Sequence, residues 1–247
     1  MHRCFVDPGG WTSSDVSLAP EEHHHLTKVI RAAEGDVVSV FDGRGREATA
    51  RIEKISGTGT SLSIISVENT PPPEVSLVLI QALPKGKRTE LIVEKATELG
   101  ATTIVPVVSE HAVLRLDSKH RADKRERWQR IAVNAARQCG TRWIPEVRPV
   151  CNLEEALDAE AALDLVLLGH LGAGTRPLHE VLEEASARNL RRIGLLVGPE
   201  GDWSNNEIEL ALTRGAESVS FGPRVLRVET AAIFGLSILA YGFLDRG

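Results

Sequence analysis

The sequence predicts an α/β protein in which a parallel sheet covered by helices follows a small barrel or curled sheet. Three observations predict it. From Val75 onward, apolar runs alternate with helix-like segments, as parallel strands buried on both faces require. Ahead of them, short β-rich pieces separated by glycine turns have the spacing of a small barrel. Between the two patterns stand Pro71, Pro72 and Pro73, which cannot join a sheet ladder and favour a stiff, extended spacer. The expected domains are residues 1–70 and 74–247.

The N-terminal strands are expected in "DVVSVFDG", "REATARIEKI" and "TSLSIISVE", set apart by "GRG" and "GTGT", with one helix, "APEEHHHLTKVIR", interrupting them. The later strands are expected in "VSLVLIQAL", "TTIVPVV", "LDLVLLG", "RIGLLVG" and "ESVSFG". In the helix "KRTELIVEKATELG", Leu91, Ile92, Ala96 and Leu99 share a face and Gly100 follows as a stop. Ser204 and Glu207 have the spacing of a capping box, so a helix starts there, runs to Arg214 and stops at Gly215. No internal repeat or low-complexity tract interrupts this order.

Composition narrows the class. The 247 residues carry a net charge of −5, which argues against a protein that is basic throughout. The charge is uneven: Arg115 to Arg148 holds ten Lys/Arg against four Asp/Glu, leaving the rest of the chain at −11. Such a stretch is either a docking place for a polyanion or a solvated helix face. Cys4, Cys139 and Cys151 form no CxxC pair, which suits free thiols in a reducing compartment. "MHRCFVDPGG" has no apolar signal core, and "AAIFGLSILAYGF" is too short to span a bilayer. A cytoplasmic protein without membrane partners is expected.

Several motifs are set aside. His23, His24 and His25 point about 100° apart on a helix and do not converge on one ion, so no metal is expected. "ALPKGKRTE" lacks the spacing of a phosphate loop, and "GHLGAG" that of the dinucleotide fingerprint. No serine stands in a G-x-S-x-G elbow.

Three glycine-rich loops remain, each at a strand end: "LLGHLGAG", "LVGPEGDW" and "SFGPRVLRVETAAI". Ligands of open α/β sheets bind at the carboxyl ends of strands, and glycine lets main-chain groups approach a flat ring. In the last loop Arg224, Arg227 and Glu229 precede an apolar helix. Charges at such a junction are candidates for chemistry, although Arg227 and Glu229 also suit a structural ion pair.

"VGPEG" followed by a helix and then "GPRVLRVETA" resembles the ribosomal RNA small-subunit methyltransferase E family, of the SPOUT class of S-adenosylmethionine-dependent RNA methyltransferases. "RCFV", "HHHLTKVIRAAEGD", "FDGRG", "PKGKRTELIVEKATELG" with "IVPVVSEH", and "NAARQCG" with "IPEV" stand in the family's order, so the resemblance extends over the whole chain. Two places depart from the family's pattern. Asp202 and Trp203 stand where a second glycine and an aromatic are usual, and Thr141, with Arg142 next, stands where an arginine is common.

The resemblance implies a trefoil-knotted methyltransferase domain after a PUA-like RNA-binding barrel. It implies S-adenosylmethionine held by the three loops, at Leu168, Gly169, Val197, Gly198, Glu200, Gly201, Phe221, Gly222, Leu226 and Arg227, and methylation of a uridine at N3 in 16S ribosomal RNA. Arg227 is then the candidate anion stabiliser or phosphate anchor and Glu229 the base or orienter. Arg3, Arg31, Lys85, Arg88, Arg137 and Arg142 are the candidate RNA contacts, each equally explicable as surface charge. Free ribosomal RNA or the assembled small subunit is the expected partner. A homodimer is expected through the C-terminal helix with Ile233, Leu236, Ile238 and Leu239. The alternatives are a related enzyme acting on another RNA, such as a transfer RNA ribose 2′-hydroxyl, and an RNA-binding or ribosome-assembly protein without turnover.

Overall fold

The structure is a computed structural model that describes residues 1–12, 15–57, 59–111 and 118–244. Two compact units form: Met1–Pro72 with Val133–Ile144, and Pro73–Ala132 with Pro145–Gly247.

The first unit is a five-stranded sheet in the order β1-β3-β4-β5-β2, made of Arg3–Phe5 (β1), Asp15–Ser17 (β2), Val37–Phe41 (β3), Arg46–Ile55 (β4) and Thr60–Asn69 (β5). β1 pairs parallel with β3 and the other pairs are antiparallel. Ala48, Ala50 and Ile52 alternate inward along β4 and meet Val38, Val40, Leu62 and Leu26 in the core. The interrupting helix is a short α1 (Pro20–His24) that continues as a π-helical turn, His25–Ile30, and ends at Arg31 with φ 60°.

β3 does not alternate, because Ser39 and Phe41 are buried as fully as Val38 and Val40. Its second face is occupied by charge-assisted contacts. Arg3 lies over the Phe41 ring, 4.0 Å from its centroid, and Ser39 donates to Glu47 at 2.5 Å. The segment Val133–Ile144 groups here too. Arg3 donates to the carbonyls of Ala136 and Thr141, and Arg142 donates to Glu47, Glu68 and Thr70. A cut at the prolines alone, into 1–70 and 74–247, is therefore amended: residues 133–144 belong with the N-terminal strands because these bonds hold them there.

The second unit is a seven-stranded, wholly parallel sheet in the order β10-β12-β9-β11-β6-β7-β8. Its strands are Ser76–Ala82 (β6), Ala101–Val107 (β7), Glu146–Val147 (β8), Leu165–Gly169 (β9), Arg176–Pro177 (β10), Arg192–Val197 (β11) and Glu217–Ser220 (β12). Leu77, Leu79, Ile80, Leu167, Leu168, Ile193, Leu195 and Leu196 are all buried, as continuous apolar runs in two-sided strands should be.

Helices Arg88–Glu98 (α2), Ser118–Cys139 (α3), Leu153–Ala159 (α4), Leu178–Ser186 (α5), Asn205–Thr213 (α6) and Val228–Phe243 (α7) complete the chain, with α3 running from the second unit into the first. The buried face of α2 is Thr89, Ile92, Val93, Ala96 and Thr97. Leu91 is 41% exposed, because it lies about 100° round the helix from Ile92. The capping box forms as expected, with the Ser204 hydroxyl accepting from Glu207 N–H and Glu207 from Ser204 N–H. Among the described residues no helix is long and apolar enough to cross a membrane.

Candidate functional site

Chain order across the second sheet runs outward from β6 to β7 and β8, then resumes with β9 and β11 on the other side of β6. Strand order therefore reverses beside β6, where open α/β sheets open a crevice at their carboxyl ends. A cavity of about 390 Å³ lies there, of a size that takes a nucleoside-sized ligand. Its walls are the loops after β9, β11 and β12 together with Arg88 from the first turn of α2.

Of the residues expected to hold a cofactor, Gly169, Val197, Gly198, Glu200, Phe221, Gly222, Leu226 and Arg227 line this cavity. Leu168 and Gly201 do not: Leu168 points into the hydrophobic core beside Val78 and Leu196, and Gly201 faces His111. Gly169 is required by packing, since a Cβ there would stand 2.9 Å from the Phe221 ring. Phe221 is in turn held edge-on by Phe234 of α7, with centroids 6.0 Å apart.

The acids of the glycine turn have defined partners. Glu200 accepts from the Lys85 main-chain N–H at 3.0 Å and from the Arg88 guanidinium. Arg88 Nε also lies 3.6 Å from Glu229 Oε2. Glu229, on the first turn of α7, is 16% exposed, and that oxygen is buried without a hydrogen-bond partner. Arg227 is the N-cap of α7, exposed, with its main chain extended and no side-chain cap. Its guanidinium enters no hydrogen bond or ion pair among the described residues.

Asp202, where the family pattern has glycine, carries φ 60°. Glycine adopts that conformation freely and Asp tolerates it. Its neighbour Trp203 is buried in the core.

The sequence missed several lining residues: His170, Leu171, Asp202, Ser220 and Val225. His170 was visible inside "GHLGAG", a string dismissed for its glycine spacing. Its Nε2 meets Ser218 Oγ at 2.6 Å and its Nδ1 accepts from Gly172 N–H at 3.0 Å.

The basic candidates separate into three kinds. Arg3, Arg137 and Arg142 all belong to the first unit. Arg3 and Arg142 spend their guanidinium groups on Glu47 and its neighbours, and Arg137 is paired with buried Glu22. In these three the geometry shows a structural task for the guanidinium. Arg31 is exposed at its left-handed turn, and Lys85 is exposed beside Glu200. Arg88 belongs to the cavity. The basic stretch from Arg115 is partly structural as well, though residues 115–117 lie outside the described residues. Arg125 donates to the Val147 carbonyl, Arg121 to that of Val150, and Arg127 pairs with Glu90. No group of three or more His, Cys, Asp or Glu suited to a metal ion gathers among the described residues.

Residues 71–240 match the family model of an RNA methyltransferase domain, and residues 18–65 that of an RNA methyltransferase PUA domain. The chain is 34% identical over 238 residues to a ribosomal RNA small subunit methyltransferase E of Synechocystis sp., spanning 96% of this chain and 76% of the relative. It is similar to the solved structure of a putative methyltransferase from Legionella pneumophila in complex with the bound cofactor SAM. There the identity is 33% and the TM-score 0.86, over 97% of this chain and 96% of the other. A ribosomal RNA small subunit methyltransferase E from Neisseria gonorrhoeae, solved bound to S-adenosyl methionine, is similar over 100% of both chains at 28% identity and a TM-score of 0.88.

Proposed function

The chain belongs to the ribosomal RNA small subunit methyltransferase E family, and we propose on that premise that it transfers a methyl group from S-adenosylmethionine to N3 of a uridine in small-subunit ribosomal RNA. One observation carries the reading: a cavity of about 390 Å³, walled by three glycine-bearing loops at parallel strand ends, with Arg88 and Arg227 in its wall and Glu229 behind it, 3.6 Å from Arg88.

The cavity fits an adenosine-bearing cofactor. Close approach at Gly169 leaves no room for a side chain, so its main chain and the Phe221 ring form this part of the wall. The main chains of Gly169, Val197, Gly198, Phe221, Gly222 and Leu226 would hold the nucleoside. When bound, the cofactor supplies an activated methyl group that must be attacked in line with its bond to sulfur.

This chain's residues supply the rest. Positioning the pyrimidine is the largest part of the task. Uridine N3 lies on the Watson–Crick edge, so the base reacts unpaired or splayed from its helix. Its N3 proton has to leave. We assign that proton to Glu229, whose Oε2 accepts no hydrogen bond and lies 3.6 Å from Arg88 of the cavity wall. Arg227, a cation of the cavity wall without a partner among the described residues, is assigned to stabilise the uridine anion or anchor a flanking phosphate.

The reading includes the trefoil knot at these loops and a homodimer built on α7. α7 packs against α2, β6 and β11 after β12 has been laid beyond β9, the return that a threaded chain requires. It buries Leu236 and Leu239 but leaves Phe234 41% and Tyr241 81% exposed, an apolar face suited to a second copy. Light scattering reads the oligomeric state directly.

The deciding experiment is methyl transfer from labelled cofactor to small ribosomal subunits lacking their modifications, followed by nucleoside mapping. The expected product is 3-methyluridine. A ribose-methylated nucleoside would move the enzyme to another target, and cofactor binding without transfer would leave an RNA-binding protein.

A further inference from the structure

Asp202 is joined to three loops of the second unit at once. Its Oδ2 accepts from Leu171 N–H at 2.8 Å, in the loop after β9. Its Oδ1 accepts from Trp203 N–H at 2.9 Å, within the turn after β11. Its main-chain carbonyl meets His111 Nδ1 at 3.1 Å, in the loop after β7. Each side-chain oxygen thus satisfies one main-chain donor, and Asp202 is one of the residues that line the cavity.

Two features of the backbone make this arrangement a costly one to keep. Asp202 has φ 60°, where an L-residue is disfavoured relative to glycine. Gly198 makes room for the carboxylate: a Cβ at that position would lie 3.2 Å from Asp202 Oδ1. The side chain is therefore accommodated at some expense, and what it gains is a charge-assisted bond between two segments 31 residues apart. Those segments are two of the three walls of the cavity. Their separation sets the width available to a flat ligand.

We propose that Asp202 is a positioning residue for the cofactor: its carboxylate holds the loop after β9 against the turn after β11 at the spacing the nucleoside requires. The inference rests on the cofactor reading above. Its signature is a loss that falls on cofactor affinity and not on the chemical step, because Asp202 acts through the main chain of Leu171.

Calorimetry with S-adenosylmethionine and single-turnover methyl transfer at saturating cofactor, on the full chain, test it. Asp202→Gly keeps the left-handed turn and removes the clip. Its Kd should rise on the order of tenfold or more, the worth of one hydrogen bond to a charged group, with the saturated rate near that of the parent. Asp202→Asn retains one acceptor oxygen and the tolerance of a left-handed backbone, so it should bind with intermediate affinity. Should the glycine variant not fold, the Asn variant against the parent carries the same comparison. Equal affinity in parent and variants, or a loss confined to the saturated rate, overturns the proposal. A parent protein that gives no heat with the cofactor fails differently, by removing the cofactor reading itself.

Discussion

Oε2 of Glu229 lies 3.6 Å from Nε of Arg88 and, though buried, accepts no hydrogen bond. The same guanidinium is bonded to Glu200, so one cation faces two carboxylates, one from the turn after β11 and one from the first turn of α7. The two acids are not equivalent. Glu200 is held by the Lys85 N–H as well as by Arg88, whereas Glu229 Oε2 keeps a lone pair uncommitted. Of the two, only Glu229 keeps an oxygen without a hydrogen-bond partner, which makes it the candidate proton acceptor.

Glu229→Gln preserves the shape of the side chain and removes its basicity. Single-turnover methyl transfer should fall by about 10²-fold or more, the usual share of a general base, with cofactor affinity little changed. Rapid-quench kinetics at saturating cofactor reads this. A rate within a few-fold of the parent would place the base elsewhere.

The first unit contains a buried ion pair, Arg137 with Glu22, whose side chains are 21% and 9% exposed. Glu22 Oε2 and Arg137 Nε are both left without hydrogen-bond partners. Burial pushes the Glu22 carboxyl up and Arg137 pulls it back, with burial the larger effect. A pair that leaves two buried atoms unsatisfied adds little net stability, yet removing one partner strands the other. Glu22→Gln should therefore cost about 3 kcal/mol, while Glu22→Met with Arg137→Met should be close to neutral. Urea unfolding of the three proteins, compared by midpoint, checks the contrast.

Glu47 shows the opposite balance. Burial pushes its carboxyl up, but donation from Arg3, Ser39 and Arg142 outweighs that and holds it down at about 2, against an ordinary 4.5. The folded state thus binds this proton more weakly than the unfolded chain does. The stability it contributes is complete above the unfolded value and is lost as pH falls through about 4.5 toward 2. Between about pH 6 and pH 3 the parent should lose stability faster than Glu47→Gln, which has no such proton to gain. Chemical denaturation at several pH values decides it; parallel losses would mean that Glu47 is not the group responsible.

How far the sequence carried depended on the range of the interaction. The β4 and β5 strands were legible to within a residue, because alternation and glycine turns are local signals. β1, β2, β8 and β10 have only two or three residues each and no period to read. The membership of residues 133–144 rests on Arg3 reaching carbonyls more than 130 positions away, which no window of sequence reveals. The three cavity loops announced themselves through glycine. The place of Arg88 did not: beside Lys85 and Lys87 it reads as one more surface cation, and its carboxylate partner Glu200 is 112 residues distant. Nor does an aspartate disclose in a sequence that it sits at φ 60°.

Arg227, like Arg224, is a cation of the cavity wall that enters no hydrogen bond or ion pair among the described residues. Arg88 is tied to Glu200, while Arg227 stands at the start of α7, exposed, beside Leu226 and Val228 of the cavity wall. A free guanidinium at the mouth has two distinguishable uses. As an anchor for a flanking RNA phosphate it contributes to binding, and its loss weakens affinity and reduces the salt slope by about one. As a partner of the uridine anion it contributes to the transition state, and its loss lowers the single-turnover rate with the salt slope unchanged. Arg227→Ala measured for RNA affinity across a salt series, and for rate at saturating RNA, separates the two. The cavity position favours the second outcome, with a rate loss of about 10²-fold. Because the side chain is exposed and makes no hydrogen bond or ion pair among the described residues, stability should stay within about 0.5 kcal/mol of the parent. A variant that matches the parent in rate, affinity and salt slope would remove Arg227 from the site altogether.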